Sequence, residues 1–377
     1  MLHNFFLRSG GSRSGMSAVS ITGLVLIIIA GFPSTALGYG FHDALSHGNS
    51  IDVLGLKSAA MVGIRVFGSE GATSLFLNPA TLHNVDRLNI SASASTMAWT
   101  EEVVDSTSVT QRSGSGIGGL TGALAYRIGP DLVFGAGLAR VSDFQYDGTH
   151  FLPENPSHPG IDIVETLVAT GGLWEALGGI SWSLADNFKA GVSGGLRFGE
   201  VSYEYAYDAK FTPEVDSTSV WSWDLSDVCY HAGFVVGDDL LSAGAAYTSG
   251  SEDRYHSRLS IAGRARAEHI GNTTMGFEGE IVSPFDRNYF NGKLSLETPI
   301  RREINLMAGV GFNEGENMNR VGMAFSVGGN YTSDRMKVEV ALSHIGRSRQ
   351  STSFPDEYSD HVDDSWTHFC IGLQYMI

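Results

Sequence analysis

The sequence predicts an all-β fold: a transmembrane antiparallel β-barrel of about 14 strands with a small N-terminal hatch. Composition is the first reason, because the 377 residues include 47 glycines and 10% aromatic residues but only 17% charged residues. Runs of alternating apolar and polar residues, the second reason, follow one another from about residue 87 to the end. Tight turns and long polar loops alternate between these runs, as they do in outer-membrane barrels.

The N-terminal residues 1–38 are typical of a signal peptide. Arg8 and Arg13 precede an apolar run at 21–32, and small residues follow Pro33. The run is shorter than the roughly 20 residues that span a bilayer, although a retained anchoring helix is the alternative. We therefore expect export, and the strand pattern then indicates the outer membrane of a Gram-negative-type bacterium.

Residues 87–377 are predicted to form the barrel, and the alternation is clearest near the C-terminus. Val338 and Val340 alternate there with Lys337 and Glu339, which places apolar and charged side chains on opposite faces. Many of the runs exceed the 5–6 residues that are usual in soluble proteins. The fourteen expected strands lie near 87–100, 116–128, 131–146, 163–184, 188–208, 219–236, 240–250, 253–267, 272–283, 288–298, 303–313, 318–331, 335–346 and 364–377.

Connection lengths separate the barrel from its rival, a secreted β-sandwich or β-helix. Tight turns are expected near 129–131, 185–187, 237–239, 299–302 and 332–334, and long loops near 147–162, 209–218 and 347–363. Every tight turn joins an even-numbered strand to the next one, so all of them lie on one side. The amphipathic run at 369–377 is expected to close the barrel against the first strand.

Charged residues on the inner face of the predicted barrel alternate with apolar residues on the outer face. We expect them to form ion pairs between neighbouring strands and to stiffen the wall of a plugged barrel rather than to line a free pore. The predicted lumen-facing set is Arg264, Arg266, Glu278, Glu280, Lys293, Glu297, Lys337 and Glu339.

Residues 39–86 precede the strands and are predicted to be the hatch, a plug too small for a core of its own. Their informative stretch is Gly68-Ser-Glu-Gly-Ala-Thr-Ser-Leu-Phe-Leu-Asn-Pro-Ala80, followed by Thr81 and Leu82. Asn78, Pro79 and Ala80 form the hatch motif, and a plain turn is the alternative, because Asn-Pro pairs initiate turns. This stretch resembles the N-terminal hatch of the FadL-type long-chain fatty-acid and hydrocarbon channels, although Thr81 replaces the family's usual glycine.

The resemblance implies an outer-membrane channel for the passive uptake of hydrophobic small molecules, such as long-chain fatty acids. In that family the hatch plugs a fourteen-strand barrel, and substrates leave sideways into the membrane. The same Asn-Pro-Ala pattern occurs in PorV-like barrels, which implies the alternative of an interaction barrel that serves protein secretion or surface anchoring. A general porin is disfavoured by the extra N-terminal segment.

Catalytic and metal-binding patterns are weak in this sequence. Ser193 lies in a Gly-x-Ser-x-Gly pattern, but within a predicted strand and with no helix after it. His231, His344 and His368 lie in strands, and neither HExxH nor CxxC occurs. We therefore predict no enzyme, no cofactor and no metal site.

The net charge and the cysteine content limit the classes of partner and of cross-link that are expected. The net charge of −17 makes nucleic acid an improbable partner. Cys229 and Cys370 are expected to be buried and free rather than disulfide-bonded. The expected partners are outer-membrane lipid, lipopolysaccharide and a hydrophobic ligand. The acidic residues 356–364 are expected to form a solvated loop, with loose cation binding as the alternative.

Overall fold

The computed structural model describes residues 49–51, 54–104, 109–152, 163–209, 217–251, 255–284, 289–314, 321–352 and 359–377. The predicted signal peptide and residues 39–48 of the predicted hatch lie outside this set. Within it, no helix is long and apolar enough to cross a membrane.

Sixteen strands and three short helices make up the described chain. The helices are α1 Leu56–Ala60 and two 3-10 helices, Ala72–Phe76 and Pro79–Asn84. The strands are β1 Asn49–Ser50, β2 Leu88–Val104, β3 Val109–Arg127, β4 Leu132–Asp143, β5 Tyr146–Leu152, β6 Ile163–Ala185, β7 Phe188–Ala209, β8 Ser217–Gly237, β9 Leu241–Thr248, β10 Arg258–Ala267, β11 Thr273–Val282, β12 Tyr289–Arg301, β13 Ile304–Glu314, β14 Val321–Thr332, β15 Met336–Thr352 and β16 Ser359–Met376.

Fourteen of these strands close into an antiparallel barrel. Each pairs with the next along the chain, except that β4 pairs with β6, and β16 returns to pair with β2. The closure is completed by reciprocal backbone hydrogen bonds between Leu88 and Ile377. The predicted fold class and strand count are confirmed, and each of the fourteen expected strands has its counterpart.

The expected strand at 131–146 differs, because it is interrupted. β4 ends at Asp143 and β5 begins at Tyr146, within what the sequence predicts to be a loop. Opposite the interruption, Gly171 of β6 has a φ of 124°, which side chains other than glycine rarely adopt. A Cβ there would lie 2.0 Å from the Glu200 carbonyl oxygen, so the local kink requires glycine.

Other strands also run further than the sequence indicates, since β2 ends at Val104 and β3 begins at Val109, where ends near 100 and 116 were expected. β15 and β16 extend to Thr352 and from Ser359, into the expected loop at 347–363. These extensions are rich in polar residues, and Arg347 pairs with Asp364 across them at 2.9 Å, so apolar alternation does not reveal them. β1 pairs with β4 at Ser142 and Asp143, inside the segment expected to contain no strand.

The outer face of the barrel is apolar. Phe277, Leu294 and Val340 are 60%, 59% and 44% exposed, whereas the neighbouring residues Glu278 and Glu339 are buried. Because successive side chains of a strand point to opposite faces, this alternation separates an apolar outside from a polar inside. Residues 54–87, the inner segment, pack against the inside.

Candidate functional site

The inner segment is seated on wall glycines that point into the barrel. A Cβ built on Gly191 would lie 2.3 Å from the carbonyl carbon of Pro79, and one on Gly372 would lie 1.8 Å from a methyl of Leu56. Any larger residue would displace the segment, because contacts under 3 Å are not tolerated. The glycines whose added Cβ would lie under 3 Å from the segment are Gly179, Gly191, Gly233, Gly309, Gly311, Gly328 and Gly372, and at Gly135, Gly137 and Gly244 the corresponding distance is 3.0 to 3.3 Å.

Glu278, Glu280 and Lys293 join the wall to the backbone of the inner segment. The Glu278 carboxylate accepts hydrogen bonds from the backbone N–H of Arg65 and Val66, at 2.9 to 3.0 Å. Lys293 Nζ donates to the Gly63 carbonyl at 2.8 Å and pairs with Glu280 at 2.7 Å. These buried charges are satisfied by each other and by the segment, which fixes its position.

A second ion-pair group lies where Lys57 of α1 meets the wall. Lys57 contacts Glu70 and pairs with Glu297 at 2.8 Å, while Lys337 pairs with Glu70 at 3.5 Å and with Glu339 at 2.9 Å. The Lys57 ammonium, aided by Lys337, holds the pKa of the Glu70 carboxyl well below its usual range. Burial opposes the charged form of Lys57, but Glu70 and Glu297 still raise its pKa.

The two arginines of the predicted lumen-facing set lie elsewhere. Arg264 donates to Ser242 at 2.8 Å, and its guanidinium carbon lies 4.7 Å from the centre of the Phe67 ring. Arg266 is exposed near the turn that follows β10. The six other predicted residues are brought together in the two ion-pair groups. Sequence reasoning missed Lys57 and Glu70, whose isolation in a segment of few charges is the available signal.

Asn78 of the motif Asn78-Pro79-Ala80 caps the second 3-10 helix and joins two parts of the inner segment. Its side-chain oxygen accepts a hydrogen bond from the Ala80 N–H, and its amide donates to the Val66 carbonyl, both at 3.1 Å. The side chain also lies against Gly233 of β8. The bond to Ala80 is that of an ordinary Asx turn, whereas the bond to Val66 joins the turn to a distant part of the inner segment.

A buried polar network crosses the middle of the barrel above this cap. Glu175 accepts from Arg197 at 2.6 Å and contacts His231 at 3.0 Å, and all three side chains are buried. His231 also contacts Thr248, which accepts a hydrogen bond from Arg65 of the inner segment. The sequence analysis expected only a lumenal or interfacial histidine here and missed its partners, which lie on other strands at distant positions in the sequence.

Aromatic side chains fill the interior on the far side of this network from the short turns. The aromatic cluster consists of Trp99, Phe144, Tyr146, Tyr203 and Trp223. Trp99 stacks on Tyr146 with ring centres 6.4 Å apart, and Phe144 meets Trp223 edge-on at 5.3 Å. Leu75 and Phe76 of the inner segment belong to the same core, so the cluster continues down to the segment.

The aromatic cluster lies behind a discontinuity in the barrel wall. β4 pairs with β3 only from Val133 to Ala139, so residues 109–120 of β3 pair with β2 alone among the described strands. Beyond Ala139, the edge of β4 that has left β3 pairs instead with β1. The Arg140 side chain donates a hydrogen bond across the gap between β4 and β3, to the Ile117 carbonyl at 3.4 Å. The wall here is joined by side chains rather than by a backbone ladder.

The serine, cysteine and histidine residues considered in the sequence analysis are buried or contact neighbouring residues. Ser193 donates to the Leu75 carbonyl at 2.8 Å, and so binds the inner segment. Cys229 and Cys370 are buried and free, as expected. Of the other predicted histidines, His344 contacts Thr367 at 2.9 Å, and His368 is buried. Among the described residues, no group of three His, Cys, Asp or Glu side chains is arranged to hold a metal ion.

Comparison with known proteins identifies the fold. No protein-family model and no curated protein matches the sequence. The structure is similar to a Pseudomonas aeruginosa FadL homologue, with a TM-score of 0.60 and 11% identity over 88% of this chain and 99% of that one. It is also similar to the P. putida toluene transporter TodX (TM-score 0.60, 13% identity, 88% and 99% covered). The similarity to the Ralstonia pickettii toluene transporter TbuX has a TM-score of 0.59 and 15% identity, with the same coverage of both chains. The fold is therefore that of the FadL-type barrels, as the resemblance implied.

Proposed function

We propose that this chain is an outer-membrane channel for the passive uptake of hydrophobic small molecules, and that the inner segment is its hatch. The aromatic cluster is the observation that carries the proposal. An interior rich in aromatic side chains, with Trp99, Phe144, Tyr146, Tyr203 and Trp223 in one hydrophobic cluster, suits an apolar solute better than an ion. The fold similarity to a FadL homologue and to two toluene transporters supports the same class of substrate.

The discontinuity between β3 and β4 supports a sideways exit. In a bilayer, unpaired backbone groups are costly, so a wall normally keeps its ladder complete. Here the gap lies beside the cluster, and the Arg140 side chain spans it. A hydrophobic solute that reached the cluster would thus have a short route into lipid without crossing the packed inner segment.

Long-chain fatty acids and small hydrocarbons are the two solute types that the proposal includes. Uptake of labelled oleate, toluene and sucrose is to be measured in cells that lack the gene and in cells that express it. We expect expression to raise the uptake of oleate, of toluene or of both, and to leave sucrose uptake unchanged. Equal uptake of all three with and without the gene would end the transport proposal, and a rise in sucrose uptake would indicate a porin.

A variant inside the cluster links transport to the site. Trp99→Ala removes a ring contact worth about 0.5–1.5 kcal/mol, so we expect uptake to fall about three- to tenfold. Tyr126→Ala is the matched control, because Tyr126 is 44% exposed on the outer face. If the two variants reduce uptake equally at equal surface expression, the aromatic cluster is not the route.

A further inference from the structure

The N-terminal part of β8 extends beyond its neighbour β9, and the edge of this part is called the bare edge. β9 pairs only with residues 231–237 of β8, and the chain after β9 adds contacts no further than Asp227. From Ser217 to Ser222 the side chains on both faces of the strand are exposed, and Val220 is 74% exposed. Among the described residues, nothing pairs with this edge.

The alternation of the ladder shows which backbone groups are bare. On the β9 side, the Tyr230 carbonyl accepts a hydrogen bond from the Ser249 N–H, and the Tyr230 N–H donates to the Ser249 hydroxyl. In an antiparallel strand both groups of one residue point to the same side, and every second residue repeats this. The bare N–H and C=O groups are therefore those of Thr218, Val220, Ser222, Asp224 and Ser226.

Residues 217–223 of the bare edge lack the features that normally protect an exposed strand edge from pairing with another strand. Exposed edges are usually shortened, bulged or marked with Lys or Pro. Residues 217–223 of β8 read Ser-Thr-Ser-Val-Trp-Ser-Trp, in which the threonine, the valine and the two tryptophans favour strands, and they pair regularly with β7. Such an edge is a template for an added strand.

Charge indicates the kind of strand that would fit. Four exposed carboxylates lie on the outer face of β7 and β8, and Glu200 stands directly opposite Asp224. Like charges in that position destabilise a strand pair unless a cation compensates them. Residues 198–209 and 217–230 contain no Lys or Arg. The four carboxylates belong to Glu200, Glu204, Asp208 and Asp224.

We propose that residues 218–226 of β8 form a docking edge for an extended, Lys- or Arg-bearing segment of another protein at the cell surface. The added strand would pair with the bare backbone groups and place basic side chains over Glu204 and Asp224. The proposal depends on the barrel orientation, with short turns toward the periplasm, and not on the transport function.

The test uses the full-length protein in detergent and a labelled ten-residue peptide of alternating Lys and Thr. We expect binding by fluorescence anisotropy, weaker binding in 0.5 M salt, and no binding of the matching Glu–Thr peptide. Carbonyl-labelled peptide should show the infrared signature of an antiparallel strand when it is bound. Equal binding of the Lys and Glu peptides would overturn the proposal.

Ser222→Pro tests the edge itself. Its N–H points away from β7, so proline removes a bare donor and blocks pairing while it leaves the β7 ladder intact. We expect affinity to fall about tenfold or more, whereas Ser222→Ala retains it. Val220→Pro provides a second edge variant if the first does not fold, as judged by heat-modifiable gel migration. Unchanged affinity in a folded proline variant contradicts the proposal, as does spontaneous cross-linking of Ser222→Cys between two copies, which would assign the edge to self-association.

Discussion

The two sides of the barrel hold the inner segment by different means. The ionic wall, formed by Glu278, Glu280, Lys293, Glu297, Lys337 and Glu339, binds residues 57–70 through buried charges. The small-residue wall, formed by Gly135, Gly179, Ser181, Gly191, Ser193 and Gly233, receives residues 72–82 through close contacts and single hydroxyl hydrogen bonds. Separating buried ions costs several kcal/mol, whereas single neutral hydrogen bonds cost about 1 kcal/mol each. Any movement of the segment is therefore expected in residues 72–82, beside the aromatic cluster.

The largest difference between the walls should come from Lys293→Met. This change leaves Glu278 and Glu280 buried with fewer cations and is expected to cost about 3–5 kcal/mol. The measurement is the urea midpoint of unfolding, followed by gel migration. Lys189→Met is the control, because Lys189 binds Asn84 at 3.1 Å on the exposed side and should cost less than about 1 kcal/mol. Similar losses in both variants would remove the distinction between the walls.

A smaller loss is expected from overpacking the small-residue wall. Gly191→Ala brings a methyl group to 2.3 Å from the Pro79 carbonyl carbon and should cost about 1–3 kcal/mol. Gly178→Ala is the matched change on the same wall, because no atom lies within 4 Å of its added Cβ. Limited proteolysis of the inner segment reports the displacement, and only Gly191→Ala should increase cleavage. Increased cleavage in neither variant would mean that the segment adjusts freely.

Removing the cap should have a more modest effect. Asn78→Ala loses the hydrogen bonds to the Ala80 N–H and the Val66 carbonyl, which we expect to cost about 1–2 kcal/mol. Asn84→Ala, at the exposed end of the same helix, should cost no more than about 0.5 kcal/mol. The urea midpoints compare the two. A loss at Asn84 that matches the loss at Asn78 would support the plain-turn interpretation of the motif.

The smallest effect is a dependence on acid at the second ion-pair group. The pKa of Glu70 is lower in the folded protein than its ordinary value, so its contribution is present above the unfolded pKa, near 4.5, and decreases as pH falls below it. Glu70→Gln should therefore lower the stability at pH 7, where the contribution of the carboxylate is fully present, and flatten the acid side of the stability profile, so that the two proteins converge as pH falls below 4.5. Parallel profiles for the two proteins below pH 4.5 would show that Glu70 is not held as an ion.

Alternation was sufficient to predict the wall, because outward apolar residues and inward polar residues leave a period of two in the sequence. The sequence predicted ion pairs between neighbouring strands but not which charges would meet, since Lys293 lies opposite Glu278 in the register yet pairs more closely with Glu280, at 2.7 Å. The partners of those charges within the inner segment were not predictable, since Arg65 and Gly63 contact β11 and β12 from more than 200 positions away. The wall glycines likewise appeared only as a composition bias, because the reason for each lies in a different segment.

The most direct test of the account is a crystal structure of the protein with a brominated hydrocarbon, in which anomalous scattering locates the bromine. We expect the bromine signal inside the barrel, among Trp99, Tyr146 and Phe144. The outer face offers an internal comparison, because two grooves of about 600 and 560 Å³ there are lined by lipid-facing side chains such as Phe277 and Leu294. A signal in those grooves alone, with none in the aromatic cluster at saturating hydrocarbon, would contradict the channel.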